Sequence, residues 1–397
     1  MAVGTPFHSR TAPLCKSLRW KQWSGYFVAV AYDDFHDPEY HAIRNGAGLI
    51  DVSPLYKYDI RGPHAARLVD RLITRDAQKC QVGQVLYAAW CDEEGKVIQD
   101  GCFQRLAKDF FRATAADQSL VWFRLNGEGM DVSIEDVSEK YGGLALQGPR
   151  ARDILQKVSS RDLKKLGFFR LDRTELAGVP VTVTRTGYTG DLGYEIWTET
   201  AGAEKLWDAI HDAGEGLGLE PAGMVALDRT RIEAGFPLID VDFWNAEKTL
   251  VDGQKSTPYE INMGWAVNLK KPDFVGKRAL AEEAKRGTER FLVGLEVSFR
   301  EIERLYAPEG LAPQLTNEAS RVGVPVYSGG RQVGKATSSC WSTLLKKFIA
   351  LATVDRGYET SGTALDLEFT VEYVRRRAHA KVAALPFFDP ERKRSVA

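Results

Sequence analysis

Apolar and polar residues alternate along most of the C-terminal part of the chain. From about Phe291, segments such as LVGLEV, FIALATVD and ALDLEFTVEYV repeat with a period of two, and glycine-rich turns such as the one at Gly329 separate them. A period of two places successive side chains on opposite faces of a β-strand. The pattern predicts a small C-terminal β-barrel domain over 291–397, preceded by a larger region over 1–290.

A second alternating stretch lies in the middle of the chain, in VTVTRTGYTGDLGYEIWTE. Its alternation predicts two strands, and its glycines predict the tight turn between them. On the second strand, Glu195 and Trp197 share the face opposite Tyr194 and Ile196. They follow a glycine that would let a ligand approach the backbone. A glutamate at such a position is more often a surface residue, so the pattern alone does not assign it a function.

Helical spacing appears on the C-terminal side of this stretch. Apolar residues at i, i+3, i+4 and i+7 predict a helix with one buried face over 203–210. A second helix is predicted in MVALDRTRIEAGFPL, where Leu227 and Arg231 lie one turn apart and Gly235 and Pro237 end the helix. An arginine in such a helix is usually an exposed charge.

Composition and charge limit the classes of function. The chain has 397 residues, 44% of them apolar and 27% charged, which is typical of a globular protein with two or three domains. The formal net charge of −1 gives no field that would favour nucleic acid or an anionic membrane, so neither is expected as a partner. No signal peptide or membrane span is evident. We expect a cytoplasmic monomer or weak homo-oligomer.

No metal, flavin or nicotinamide site is expected from the motifs. The five cysteines are scattered without a CxxC pair, which argues against a disulfide framework and a structural zinc site. No GxGxxG follows a predicted strand, and no histidine–carboxylate cluster is present.

Several longer strings resemble the glycine-cleavage T-protein (aminomethyltransferase) family. They are HAIRNGAGLIDVS, LALQGPRARDIL, TGYTGDLGYE followed by RIEAG, INMGWAV and DFVGKRAL. The resemblance extends from about His41 to Pro386. It implies an α+β fold, with ferredoxin-like folate-binding units and a C-terminal β-barrel around a central channel, and it implies tetrahydrofolate as the cofactor.

The resemblance also implies roles for individual residues. Glu195 is expected to bind the amino and ring N–H groups of the pterin, and Arg231 is expected near the polar part of the folate. The other residues expected to contact the cofactor are Tyr87, Tyr188, Trp197 and Trp265. The residues expected to contact the small-molecule substrate are Leu55, Tyr26 and Trp23.

Two departures from the family pattern bear on the reaction. The family reads G-V-I-D-D where this chain reads KVIQD, so Gln99 replaces the first aspartate and Asp100 keeps the second. The family follows DVS with His-Met, where this chain has Pro54 and Leu55. Glutamine carries no charge and cannot act as a base near neutral pH, which weakens the case for aminomethyl transfer. We expect Asp100, with Gln99, to face the reacting carbon.

These departures favour methyl transfer, which needs an in-line approach in a desolvated pocket and help for the leaving group. The chain is most similar to the tetrahydrofolate-dependent O-demethylase branch of the family. That likeness implies that a methoxylated aromatic acid, a methoxybenzoate that can be chlorinated as dicamba is, yields 5-methyltetrahydrofolate and a phenol.

Other functions remain open. The chain could use the same scaffold as an aminomethyltransferase or as a demethylase of a sulfonium such as dimethylsulfoniopropionate. It could also be a non-enzymatic folate-binding accessory protein, although the Lys-Gly-Cys-Tyr-x-Gly-Gln-Glu string of such proteins does not occur. The sequence does not settle whether Asp100 is an acid or a spectator.

Overall fold

The structure is a computed structural model that describes residues 1–316 and 318–395. Its helices are α1 (His8–Thr11), α2 (Asp37–Asn45), α3 (Ala65–Leu72), α4 (Leu120–Asn126), α5 (Ala151–Val158), α6 (Ala203–Gly214), α7 (Met224–Glu233), α8 (Lys277–Arg286) and α9 (Phe299–Tyr306).

The strands that precede α7 are β1 (Val3–Gly4), β2 (Trp20–Trp23), β3 (Tyr26–Ala29), β4 (Ala47–Asp51), β5 (Tyr56–Arg61), β6 (Val85–Cys91), β7 (Val97–Ala107), β8 (Phe110–Ala115), β9 (Ser133–Asp136), β10 (Tyr141–Gln147), β11 (Leu171–Leu176), β12 (Val179–Thr184), β13 (Gly193–Glu199) and β14 (Leu219–Pro221). Those that follow are β15 (Arg290–Ser298), β16 (Val324–Ser328), β17 (Arg331–Ser342), β18 (Lys347–Asp355), β19 (Ala364–Val371) and β20 (Val374–Ala383).

A six-stranded sheet in the order β11-β12-β13-β10-β4-β14 carries the central alternating stretch. Tyr194 and Ile196 face a core that includes apolar residues of α5 and α6. The other face of β13 packs Trp197 against residues of α2 and α7. The predicted period of two is therefore the real one, and it separates the Glu195 face from the main core.

A five-stranded sheet in the order β6-β7-β8-β5-β9 forms the second layer. One face packs on α3 and on Phe123 of α4. The other face meets the segment around Ile261 and Met263, which follows α7. This second face leads to the candidate site.

The C-terminal alternation predicts a barrel, and the structure confirms it. Strands β15 to β20 form a closed barrel in the order β15-β18-β17-β16-β19-β20. The strands before it form open sheets, so the α+β class is confirmed as well. None of the helices in 1–316 and 318–395 is long and apolar enough to cross a membrane.

Helix α7 lies between the six-stranded sheet and the barrel. Ile232 packs against barrel residues such as Ile349. The buried Glu233 carboxylate accepts hydrogen bonds from Tyr40 (2.6 Å), Arg44 (2.6 Å) and Ser342 (2.6 Å). These bonds join α2, α7 and β17 at one point, and a buried charge satisfied in this way fixes their relative positions.

Candidate functional site

Asp100 and Gln99 leave β7 on opposite faces. Asp100 is opposite Ala89 and Gln99 is opposite Trp90 in the antiparallel pairing with β6, and adjacent residues of a strand point to opposite sides. The Gln99 side chain is fully buried on the side of the Trp90 core. Its Oε1 accepts the backbone N–H of Asp100 at 2.9 Å.

This geometry corrects the expectation that Gln99 faces the reacting carbon together with Asp100. The Nε2 of Gln99 is buried without a hydrogen-bond partner within the described residues, so the side chain serves the core and the β7 backbone. The position of the family's first aspartate, occupied by Gln99, therefore lies on the core face of the sheet, opposite to the face that carries Asp100.

Asp100 on β7 is paired with Tyr87 on β6, and both side chains lie on the same face of the sheet. The Tyr87 hydroxyl donates to Oδ2 of Asp100 at 2.5 Å. Burial raises the pKa of Asp100 to about 6, and the bond from Tyr87 opposes that rise. A carboxyl group with such a pKa changes protonation close to neutral pH, which suits proton transfer.

Glu195 lies on β13 across from β7, with hydroxyl groups beside it. The Thr186 hydroxyl donates to Oε2 at 2.6 Å, and Thr184 lies 3.5 Å from the same oxygen. Burial raises the pKa of Glu195, while these hydroxyl groups lower it. Oε1 accepts no hydrogen bond from the part of the chain that the structure describes, so this carboxylate retains acceptor capacity.

Tyr188 and Cys102 complete the group. Cys102 is opposite Tyr87 in the β6–β7 pairing, so it lies on the same face of the sheet as Asp100. Burial raises the pKa of its thiol, and the charges of Glu195 and Asp100 raise it further. The Tyr188 hydroxyl donates to the carbonyl oxygen of Pro237 at 2.7 Å. Burial raises the pKa of Tyr188 as well, and the Asp100 carboxylate adds to the rise.

We call these residues the carboxylate recess: Tyr87, Asp100, Cys102, Tyr188 and Glu195. Each side chain keeps part of its surface accessible even though burial raises its pKa. Side chains that are shielded from bulk water and still keep accessible surface are expected to line a ligand-binding recess. Perturbed titratable groups of this kind cluster at functional sites.

Trp265 lies at the outer edge of the recess. Its ring stacks on that of Tyr87, with centroids 6.4 Å apart and planes 29° apart. The residue is 64% exposed. Trp265 therefore lies where a ligand in the recess would meet solvent.

Arg231 does not face the recess as a free ligand-binding group. It is 1% exposed, and its Nε donates to Asp228 at 2.8 Å. Its terminal nitrogens donate to Asp242 at 2.5 Å and to Ser338 at 2.7 Å. All three nitrogens thus hold α7, the segment after it and the barrel together, which corrects the expectation of a folate contact.

Trp197 is also part of the core. It is 1% exposed and packs against Gly143, where an added Cβ would lie 2.4 Å from the ring. Lys57 lies 5.7 Å from the ring centroid on another side. The expected contact between Trp197 and the cofactor is therefore replaced by support for the strand that carries Glu195.

The predicted substrate residues separate into two groups. Leu55 is half-buried and packs with Tyr188 against the cluster around Trp197, so it lies close to the recess. Trp23 and Tyr26 face each other across the β2–β3 hairpin. The acidic residues nearest Tyr26 are Glu139, Asp136 and Asp51, and the structure does not bring this hairpin into the recess.

Sequence reasoning missed Cys102 and Thr186. A period of two from Asp100 places Cys102 on the same face of β7, so the strand pattern contained that signal. Thr186 follows β12 and reaches Glu195 across the turn, which only the strand pairing reveals.

Two family models match the chain. One, described as the GCVT N-terminal domain, matches residues 10–271. The other, described as the glycine cleavage T-protein C-terminal barrel domain, matches residues 310–389.

Curated relatives match most of the chain. An aminomethyltransferase of Caldanaerobacter subterraneus subsp. tengcongensis is 33% identical over 350 residues, which are 87% of this chain and 86% of that protein. An aminomethyltransferase of Bacillus mycoides is 34% identical over 372 residues, covering 92% of this chain and 93% of that protein.

A solved structure shares the fold. The glycine cleavage system aminomethyltransferase T from Bartonella henselae superposes with a TM-score of 0.82 at 22% identity, over 98% of this chain and 99% of that one. At this identity the likeness supports the architecture and leaves the chemistry to the residues of the recess.

Proposed function

This chain belongs to the glycine cleavage T-protein family, and from that premise we propose that it is a tetrahydrofolate-dependent aminomethyltransferase. In the proposed reaction the carbon of an aminomethyl group forms bonds to N5 and N10 of tetrahydrofolate, giving 5,10-methylenetetrahydrofolate. Its bond to nitrogen breaks with release of ammonia, its bond to the rest of the donor breaks as well, and the two protons lost from N5 and N10 go to these two leaving groups. The observation that carries the proposal is the Asp100 carboxylate, which lies in the recess and is hydrogen-bonded to Tyr87.

The recess fits tetrahydrofolate. The family uses this cofactor, whose N5 supplies the nucleophile that accepts the one-carbon unit. The acceptor capacity of Glu195 matches the paired N–H donors of a pterin, and a buried charged acceptor is costly unless a ligand or the protein satisfies it. Tyr87 and Tyr188 provide aromatic side chains beside it. These residues would hold the pterin.

Asp100 and Tyr87 have different roles in the proposed reaction. Asp100 holds or releases a proton at its carboxylate oxygens, and in its ionised form it stabilises positive charge that develops as ammonia departs. The Tyr87 hydroxyl orients that carboxylate through its 2.5 Å bond. The surrounding protein excludes water, which strengthens these electrostatic interactions.

Methyl transfer from a methoxylated aromatic acid is the second candidate, with a sulfonium donor as its variant. Gln99 does not favour this reaction over aminomethyl transfer, because its side chain faces the core. One observation still supports it. Leu55 packs against the same apolar cluster as Tyr188 does, and an apolar side chain on that cluster suits an apolar donor.

A product assay separates these candidates. The protein is incubated with tetrahydrofolate and a panel that contains an aminomethyl donor, methoxybenzoates including dicamba, and a sulfonium. Mass spectrometry then distinguishes 5,10-methylenetetrahydrofolate from 5-methyltetrahydrofolate. We expect the methylene product with release of ammonia, and Asp100→Asn as the matched control should abolish it.

Other results would overturn the proposal. Formation of 5-methyltetrahydrofolate with a phenol would establish O-demethylation instead. Tetrahydrofolate binding without turnover of any donor would support the non-enzymatic candidate.

A further inference from the structure

Arg75 lies beside the recess on a backbone segment that is held firmly in place. The adjacent Thr74 donates its N–H to the carbonyl of Ala89 on β6 (3.1 Å) and accepts from the N–H of Asn268 (3.0 Å). The buried Lys271 ammonium donates to the carbonyl of Arg75 itself at 2.9 Å. The segment therefore presents the Arg75 side chain from a fixed position.

The Arg75 guanidinium has no carboxylate partner among residues 1–316 and 318–395. Its hydrogen bond to the carbonyl oxygen of Tyr87 is long, at 3.4 Å. Burial lowers the pKa of the guanidinium.

Several fully buried arginines of this protein are paired with acids, and Arg185 is held instead by backbone carbonyls, with a bond as short as 2.6 Å. Arg112 donates to Asp59 at 2.6 Å and Arg44 to Glu233 at 2.6 Å. A partly desolvated cation without a counter-ion is costly. The half-buried Arg75 has neither an acid nor a close carbonyl partner among the residues that the structure describes, so its guanidinium retains capacity for an anion from outside the chain.

The surroundings of Arg75 point it toward a ligand in the recess. Its guanidinium lies 5.5 Å from the ring centroid of Trp265, and Trp265 stacks on Tyr87. Tyr87 bonds directly to Asp100. Arg75 thus lies one aromatic layer away from the catalytic carboxylate, on the side where Trp265 is exposed.

We propose that Arg75, supported by Trp265, binds a carboxylate group of a small-molecule ligand whose reacting part occupies the recess. A planar guanidinium binds a carboxylate through two parallel hydrogen bonds from its fork of N–H donors. Stacking of the guanidinium on an aromatic ring keeps these donors oriented. The inference rests on the part of the proposed function that places tetrahydrofolate in the recess, and it does not depend on which one-carbon group is transferred. The carboxylate belongs either to the glutamate tail of tetrahydrofolate or to the one-carbon donor.

A binding experiment distinguishes the two sources. Calorimetry compares tetrahydrofolate with tetrahydropteroate, which lacks the glutamate, on the full-length wild-type protein and on Arg75→Gln. If the tail binds Arg75, wild-type protein should prefer tetrahydrofolate by about 10- to 100-fold, as expected for a charge-assisted hydrogen-bond pair. Arg75→Gln should lose that preference while its affinity for tetrahydropteroate stays unchanged.

Two control variants separate ligand binding from a structural role. Arg67→Gln removes the same charge from an exposed position on α3 and should change neither affinity. Arg75→Lys should keep part of the preference, since it keeps the charge without the fork. Equal weakening of both pterins in Arg75→Gln, with no change in selectivity, would show that Arg75 only supports Trp265 and would overturn the proposal.

A second experiment tests whether Arg75 binds a carboxylate of the one-carbon donor instead. If wild-type protein binds both pterins equally, Arg75→Gln should raise the KM of the donor about 10- to 100-fold, and the KM of its carboxamide should not change. Unchanged values in both arms would overturn the inference, as would failure of wild-type protein to bind either pterin. If the product assay shows no aminomethyl transfer while the Arg75-dependent selectivity persists, the proposed function fails and this inference stands.

Discussion

At the scale of single residues, the protonation of Asp100 should control the pH dependence of the reaction. Burial raises its pKa to about 6, so the carboxyl group is protonated below that pH and ionised above it. Stabilising positive charge requires the ionised form. We therefore expect kcat/KM to rise as pH increases through about 6, and a pH–rate profile checks it.

The opposite profile would contradict this assignment. A rate that falls as pH rises through the same region would mean that Asp100 acts as a general acid. That result would favour methyl transfer to tetrahydrofolate with a phenol as the leaving group, which a general acid would protonate.

A second prediction at this scale concerns Gln99. The Gln99→Asp variant restores the family's pair of aspartates in sequence, but it places a carboxylate in the core beside Trp90. We expect the free energy of unfolding to fall by about 2–4 kcal/mol, with no gain in aminomethyl transfer. Urea denaturation and the product assay measure the two effects.

Gln99→Leu is the matched control, because it keeps the volume and removes the polar group. It should cost less than Gln99→Asp at neutral pH. A Gln99→Asp variant that is as stable as wild type and more active would show that the side chain reaches the recess.

Part of the candidate site follows from local sequence pattern, and part does not. The period of two on β7 and β13 places Asp100 and Glu195 on defined faces, and the structure brings both into the recess with Tyr87 and Tyr188. Arg231 could not be assigned in this way. Its partner Ser338 lies 107 residues away in sequence, and local spacing carries no information on such a contact.

At the scale of elements, the buried charges of α7 should act as a structural link. Replacing Arg231 by Met leaves the carboxylates of Asp228 and Asp242 without this guanidinium. Removing one member of a buried ion pair typically costs about 3–5 kcal/mol. We expect Arg231→Met to be destabilised by that amount in urea denaturation.

The affinity of the folded Arg231→Met variant for tetrahydrofolate tests whether Arg231 contacts the ligand. It should be nearly unchanged in Arg231→Met, because Arg231 is not expected to touch the ligand. Arg304→Met removes an exposed ion pair with Glu301 and serves as the control, with an expected loss below about 1 kcal/mol. If Arg231→Met is stable but no longer binds folate, Arg231 is part of the folate-binding site and the structural assignment is wrong.

The elements themselves were largely predictable. Alternation identified the barrel strands, and helical spacing identified α6 and α7. The positions of α7 between sheet and barrel, and of Gln99 behind its strand, depend on which elements pack together. Such packing is fixed by long-range contacts such as those of Glu233 with Tyr40 and Ser342.

At the scale of the whole molecule, the C-terminal segment ties the end of the barrel domain to the six-stranded sheet. Arg392 donates to both carboxylate oxygens of the buried Asp191, at 2.7 and 2.8 Å. Two residues on, Arg394 pairs with the half-buried Asp389 of the same segment. Only the first of these pairs connects distant parts of the chain.

This contrast predicts different losses for the two arginines. Arg392→Ala should lower the free energy of unfolding by about 1.5–3 kcal/mol, since it removes a charge-assisted bond to a buried acid. Arg394→Ala should change it by less than about 1 kcal/mol. Thermal or urea unfolding of both variants measures the difference, and equal losses would mean that the segment is not needed to join the two regions.

We propose that Asp100 performs the chemistry in a recess where Glu195 holds the folate. The most direct measurement compares Asp100→Asn and Glu195→Gln side by side, recording both tetrahydrofolate affinity and the rate of 5,10-methylenetetrahydrofolate formation. Asp100→Asn should bind tetrahydrofolate nearly as wild type does and lose at least about 100-fold in rate. Glu195→Gln should bind it about 10- to 100-fold more weakly. If Asp100→Asn keeps the wild-type rate, or if Glu195→Gln keeps the wild-type affinity, the account of the recess is contradicted.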